Sequence, residues 1–388
     1  MKNKFTILIP TRERADTLYD TIRACLNQTY SNYEVIVSDN YSQDNTYDVV
    51  HSFSDSRLKY INTGTRMSMS ENFDFALSHV RDGYVMFVGD DDGILPNSLE
   101  YVNNVINETK AEAVVSHNAF YTWPATANPN KLYWSNRSGY EIRNSKEWIK
   151  KYLTFKMQYT FDLPGAYCGF VKREVFDRVT KDGFSFFRSS TPDAYSAIAV
   201  AFATDSYVYS FTPFAVHGSS KNSNGGAFLS KKKGEEGKEA ISFMKENKIP
   251  FHKDIVFTKA FRVSSLEAFL QFSETFPEKT KEYSIDWKLF LKYVLSEARE
   301  ETREEIEEAV KKMCKMHSVD YDEIKNFKVS RFDRLADLSL SEIVTKVSNK
   351  IIRMFFKKSS HIDDTTKYGV YNVHDAMILL KYITEHQR

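Results

Sequence analysis

Three consecutive aspartates, Asp90-Asp91-Asp92, follow the apolar run 84–88 and Gly89, and Gly93-Ile94-Leu95-Pro96 comes next. Carboxylates this close repel one another and lose hydration when partly buried. A hard divalent cation, magnesium or manganese, would relieve both costs. The plain alternative is a solvated acidic turn, since Asp and Gly are ordinary turn formers. A second candidate is Asp193, in Thr191-Pro192-Asp193-Ala194-Tyr195, where proline and then an acid open a small-residue helix over 192–204. On the residues alone, proline followed by an acid is a common helix-capping pattern, and His217 reads as an ordinary partly buried histidine.

The elements that must position these residues show as periodicity. Apolar runs at 5–10, 33–38, 58–61, 84–88 and 113–116 predict strands. Helical spacing at 16–27, 46–53, 70–80 and 99–106 places a helix between each pair. The alternation predicts an α/β fold, Rossmann-like, with a mainly parallel sheet flanked by helices. Asp39 and the triplet 90–92 then fall at strand ends, the edge where open α/β sheets bind ligands. The dinucleotide glycine fingerprint is missing, because Pro10-Thr11-Arg12-Glu13-Arg14 follows the first strand. Further strands are expected at 167–171 and 207–211. Segments 121–139 and 218–226 are expected to be loops, the second of them mobile.

Size and composition bound the rest. At 388 residues the chain predicts two units, taken as 1–228 and a mostly helical 229–388. A formal net charge of +1 argues against nucleic acid as a partner held by a basic field. Cys25, Cys168 and Cys314 are too scattered for a disulfide framework or a zinc site, and they fit a reducing cytoplasm. The chain starts directly with a strand-like run rather than a signal peptide. It contains no apolar stretch of membrane-spanning length. Segment 343–358 sets Ile343, Val347, Ile351 and Met354 against Lys346, Lys350, Arg353 and Lys357. Such a helix can lie on an anionic membrane surface, or it can pack its apolar face onto the protein.

Ordered along the chain, several fragments resemble the family 2 glycosyltransferases, which have the GT-A fold. They are Ile7-Leu8-Ile9-Pro10-Thr11-Arg12-Glu13-Arg14-Ala15-Asp16-Thr17-Leu18, Gln28-Thr29-Tyr30, Tyr33-Glu34-Val35-Ile36-Val37-Ser38-Asp39-Asn40 and Ser42-Gln43-Asp44-Asn45-Thr46. Asn72 before Ala76, and the acidic strand end before Pro96, complete the set. The resemblance covers roughly the first 220 residues, the span of one domain. It implies transfer of a sugar from a nucleotide-diphosphate donor, UDP-linked by preference, to a glycan or lipid-linked glycan of a surface polysaccharide.

The resemblance also implies roles. Asp39 would accept a hydrogen bond from the nucleotide base. Pro10, Thr11 and Arg14 would line base and ribose, with Arg66 and Asn72 nearby. Asp90 and Lys221 would face the diphosphate. Asp91, Asp92 and His217 would hold Mn2+ or Mg2+, and Asp193 would be the base of an inverting displacement. Gly89 stands where the family often has its first Asp, so an alternative register, with Asp90 and Asp92 as the outer pair, stays open. The implied setting is the cytoplasm, with peripheral contact on the inner face of the membrane. Two rival readings keep the fold: a nucleotidyl- or phosphoryl-group transferase, and a non-catalytic nucleotide- or glycan-binding protein.

Overall fold

A strand covered on both faces must be apolar almost throughout. β1 (Phe5–Thr11), β2 (Tyr33–Asp39) and β4 (Tyr84–Phe87) meet that condition, and with β3 (Leu58–Asn62) they run parallel in the order β3-β2-β1-β4. The computed structural model describes residues 2–126, 128–221, 223, 246–327 and 359–386. Helices α1 (Ala15–Leu26), α2 (Thr46–His51), α3 (Met69–Ser78) and α4 (Ser98–Thr109) connect and cover these strands. Leu18 and Ile22 of α1 and Leu99 and Val102 of α4 pack on one face. Phe73 and Leu77 of α3 pack on the other. The start of α3 is fixed by a reciprocal cap: Glu71 N donates to Ser68 Oγ (3.3 Å) and Ser68 N donates to Glu71 Oε2 (3.0 Å).

The chain changes sheets at the acidic triplet. β5 (Gly93–Ile94) comes immediately after it and belongs to a second sheet. The remaining strands are β6 (Ala113–Ser116), β7 (Ala119–Thr122), β8 (Leu132–Ser135), β9 (Tyr140–Asn144), β10 (Gly169–Lys172), β11 (Ser206–Ser210), β12 (Ala215–Ser219) and β13 (Ser359–Ile362). The main sheet continues β4-β10-β6-β11-β9, and the second sheet reads β13-β8-β7-β12-β5. Asp90, Asp91 and Asp92 therefore sit in the corner where the two sheets part.

The α/β class and helical C-terminal region match expectation, and the differences have physical causes. β10 enters antiparallel between β4 and β6, so the sheet is parallel only in part. Segment 121–139 is not all loop. Its aromatic residues favour pleated, half-buried positions, and they supply the end of β7 and all of β8. Gly218 and Ser219 lie in β12, not in a loop, and His217 is itself a strand residue.

The predicted boundary at 228/229 and the amphipathic segment 343–358 lie outside the described residues. The helices beyond residue 246 are not packed apart from the sheet. The helix Phe261–Thr275 lies against the helix Pro192–Ala203, with Phe272 stacked on Phe202 at 4.9 Å. One apolar core runs from Leu8 and Phe87 through Tyr195 and Phe272 to Phe290 and Val310. The last helix, Val373–His386, packs Val373, Met377 and Leu380 under the second sheet. No helix among the described residues is long and apolar enough to cross a membrane.

Phe272 is fully buried at this junction. Phe272→Ala is expected to cost about 3–5 kcal/mol. Chemical denaturation should show one transition displaced as a whole; two separable transitions would show that the halves fold independently.

Candidate active site

Three adjacent carboxylates can be buried only if donors reach them, and each of the three is met from a different direction. The end of β1 and the N-cap of α1 supply the first set: Thr11 Oγ1 donates to Asp90 Oδ2 (2.8 Å), and Arg14 Nη1 lies 3.8 Å from Asp90 Oδ1. The turn after β12 supplies the second, with Ser220 N (3.1 Å), Ser220 Oγ (2.6 Å) and Ser223 Oγ (2.9 Å) all donating to Asp91 Oδ2. Asp92, 1% exposed, is held from both sheets. Tyr167 Oη (2.6 Å) and Gly89 N (3.1 Å) donate to its Oδ2, and Gly218 N (2.7 Å) donates to its Oδ1. Gly218 cannot be another residue here, because a Cβ would lie 1.7 Å from the Asp91 carbonyl oxygen.

The electrostatics result from burial. Loss of hydration pushes Asp90 above the usual carboxylate range, against the pull of Arg14 and with a further push from Asp91. Asp92 is pushed up by burial and then by Asp91. His217 is lowered to about 4 by burial, so its imidazole is neutral at physiological pH. Its Nε2 accepts from Asn118 Nδ2 (2.8 Å), and Ser116 Oγ donating to Asn118 Oδ1 sets that amide's orientation. The ring proton then sits on Nδ1, 3.9 Å from Asp92 Oδ2.

A cation site fits these residues on donor chemistry. Carboxylate oxygens dominate, two of the carboxylates resist ionisation without a counter-charge, and a neutral imidazole is close by. The ligand atoms of Asp92, Cys168 and His217 lie within 4.8 Å of one another. Cys168 was not foreseen. It stands just before β10 with φ 51°, a conformation that non-glycine residues seldom adopt outside constrained sites. For His217 to join a cation, its lone pair would have to turn from Asn118 by a change of tautomer.

Asp193 faces the same cavity from the first turn of the helix Pro192–Ala203. It is half-buried, and burial raises its pKa, while the hydrogen bond from Tyr159 Oη to its Oδ2 (2.7 Å) pulls the other way. The cavity, about 830 Å³, is of the size that takes a small ligand. Pro10, Thr11, Arg14, Asn72 and all three aspartates line it together with Asp193 and His217.

Of the other expected residues, Asp39, Arg66 and Lys221 do not line the cavity. Asp39 is buried, and its carboxylate takes hydrogen bonds from Tyr60 Oη (2.6 Å), Asn62 Nδ2 (3.0 Å) and Ser42 N (2.9 Å). Asn72 braces the end of β2, accepting from Ser38 Oγ (2.7 Å) and donating to Ser38 O (3.2 Å). Arg66 is half-exposed and pairs with Glu246 (3.0 Å), which also takes Arg12 (2.8 Å). Lys221 is exposed beside the turn that caps Asp91. Tyr159, Tyr167, Ser220 and Ser223 carried no sequence signal, since a hydroxyl earns its role only from what the fold sets beside it.

Parts of the chain are similar to known proteins. Residues 6–176 match the family model for glycosyl transferase family 2. The protein described as UDP-Glc:alpha-D-GlcNAc-diphosphoundecaprenol beta-1,3-glucosyltransferase WfaP of Escherichia coli is 32% identical over 87 residues, 22% of this chain and 35% of that protein. The GalNAc(5)-diNAcBac-PP-undecaprenol beta-1,3-glucosyltransferase of Campylobacter jejuni is 32% identical over 108 residues, 27% of this chain and again 35% of the relative. The chain thus matches little more than a third of the length of these curated relatives. Among solved structures, S. aureus TarS 1-349 in complex with UDP-GlcNAc aligns over 82% of this chain and 93% of that one, at 13% identity and TM-score 0.46. The matched segment contains β1, the turn before α1 and the end of β4, which bring Thr11, Arg14 and the three aspartates to one corner.

Proposed function

We infer that the protein is an inverting glycosyltransferase that moves a sugar from a UDP-linked donor to a glycan or lipid-linked glycan acceptor. The observation that carries this reading is the convergence on one cavity of the acidic strand end and Asp193, contributed by segments a hundred residues apart. The donor class is that named for the E. coli relative, and both relatives are named for acceptors linked to undecaprenol through phosphates. Asp193 and His217 lie beyond the residues matched by the family model, so their roles rest on geometry. Work on a lipid-linked acceptor would place the protein at the inner face of the membrane.

Each residue has a task in this scheme. Pro10, Thr11 and Arg14 line the donor side of the cavity, and Arg66 pairs with Glu246, which also holds the lining residue Arg12. Asp39, gripped by Tyr60 and Asn62, fixes the wall against which the base would lie. Asp90, Asp91 and Asp92, with His217 in its other tautomer, would hold Mn2+ or Mg2+. Bound there, the cation would supply positive charge beside the departing diphosphate. Lys221, exposed beside the turn that caps Asp91, would add to that field. Asp193 accepts the proton of the acceptor hydroxyl as its oxygen bonds to the anomeric carbon. The bond from that carbon to the phosphate oxygen breaks, and UDP leaves with the electron pair. One displacement inverts the configuration. Tyr159 is a positioning residue that steadies the ionised form of the base.

Three outcomes check the scheme. Asp193→Asn should lower turnover by about 10²- to 10⁴-fold while UDP-sugar binding, read by calorimetry, is kept. Equal activity in the variant would remove Asp193 from the chemistry. Tyr159→Phe deletes a bond that favours the carboxylate, so the acidic limb of the pH–rate profile should move to higher pH; an unmoved limb would leave Tyr159 no part in tuning the base. The third is thermodynamic. Asp90 and Asp92 hold protons more tightly folded than unfolded, so stability without metal should fall as pH rises from the usual carboxylate range toward neutrality. Mn2+ competes with those protons, and its stabilising effect on the thermal midpoint should grow between about pH 5 and about pH 8. A Mn2+ effect that is absent or independent of pH would take the cation away from these aspartates.

A further inference from the structure

The second sheet has two different faces. On the inner one, Val216, Tyr121 and Leu132 are buried against the last helix. Alternation turns their neighbours outward. Register then aligns four rings across four strands. His217 of β12 pairs with Phe120 of β7, Phe120 with Tyr133 of β8, and Tyr133 with His361 of β13. The rings lie nearly parallel in pairs: Phe120 on His217 at 5.3 Å and 25°, and Tyr133 on His361 at 6.0 Å and 19°. Phe120 is 43% exposed and Tyr133 39%. His361 is exposed as well.

This row begins inside the cavity and leaves it. His217, Phe120 and Tyr133 line the cavity wall, and His361 is the next rung out. Opposite its inner end stands Phe161, 56% exposed and 5.8 Å from the His217 ring. Neighbouring rungs are separated by the strand spacing of about 4.8 Å, which is comparable to the advance of a glycan per sugar. Polar groups flank the rings. Thr122 and Ser219 are register partners two residues along from Phe120 and His217, and Asn136 Nδ2 donates to Ser360 Oγ (2.7 Å) beside the outer rung.

We propose that this aromatic row is an extended acceptor track, along which the successive sugars of an oligosaccharide lie as it threads into the cavity. The rings are stacked on one another in pairs, so the strip they offer is apolar ring edge bordered by hydroxyl and amide groups, and sugar rings, with apolar C–H faces and hydroxyl rims, meet both. An isolated apolar ring exposed on a strand needs no explanation, but a registered row continuous with a cavity does. A lipid tail fits less well, because two of the four rungs are imidazoles and the margins are polar. The inference rests on the glycosyltransferase reading and names the form of its acceptor: a chain of several sugars, gripped beyond the one that reacts.

The test reads binding without donor or turnover. Beta-linked gluco-oligosaccharides of one to four units are titrated into the full-length protein and followed by saturation-transfer NMR. Affinity should rise with length. Tyr133→Ala and His361→Ala, both surface changes expected to leave the thermal midpoint in place, should each weaken binding of the longer oligomers by about three- to tenfold. Binding of the monosaccharide should not change in either variant. Equal affinity for one and four units, or variants that keep the gain with length, would overturn the track. So would binding to phospholipid vesicles that the same variants lose while oligosaccharides never bind. Failure of the underlying reading shows elsewhere, as no release of UDP from any UDP-sugar.

Discussion

Burying negative charge beside negative charge is the constraint on which this structure turns. Asp90, Asp91 and Asp92 sit where β4 ends and the chain crosses to the second sheet. An unpaired buried carboxylate is costly enough that the surroundings must supply donors. Those donors come from β1, from the residues just before β10, and from β12 with its adjoining turn. The acidic corner therefore ties the two sheets together. It also explains Gly218, where any side chain would push the sheets apart, and the left-handed conformation of Cys168, which brings a thiol to within 3.6 Å of Asp92.

The cavity draws its walls from separate parts of the fold. The parallel strands β1 and β2 form the wall beside Thr11 and Asp39, and their side chains are held by partners within the protein, so the wall is rigid before any ligand arrives. Asp193 comes instead from the helix Pro192–Ala203, which is locked from behind by the helix Phe261–Thr275. The C-terminal helices thus bear on the site without lining most of it. The second sheet adds a third wall, and its outward row of rings gives the cavity rim an exposed aromatic edge, faced by Phe161.

Sequence and structure part company at identifiable places. Segment 121–139 looked like loop because Pro, Asn and Trp crowd it. Yet a short strand needs only alternate buried positions, which Leu132 and Trp134 provide once a partner strand exists. β13 could not be foreseen at all, since four residues become a strand only by pairing with β8. Tyr159 lies in a stretch with no periodic signal and Tyr167 opens an expected strand, and only the fold shows that their hydroxyls end on Asp193 and Asp92.

What the sequence determined alone was local and periodic. The run of apolar strands, the helices between them, the acidic triplet at a strand end and the proline-led helix with Asp193 all depend on neighbours a few positions away, and side-chain spacing encodes them directly. What only tertiary structure decided was convergence: Asp193 beside His217, Cys168 against Asp92, serines 220 and 223 on Asp91, and four rings in one row. These contacts join residues far apart in the chain. Their pairing depends on strand order and on the crossing between sheets, which burial of the whole core selects and no short segment specifies.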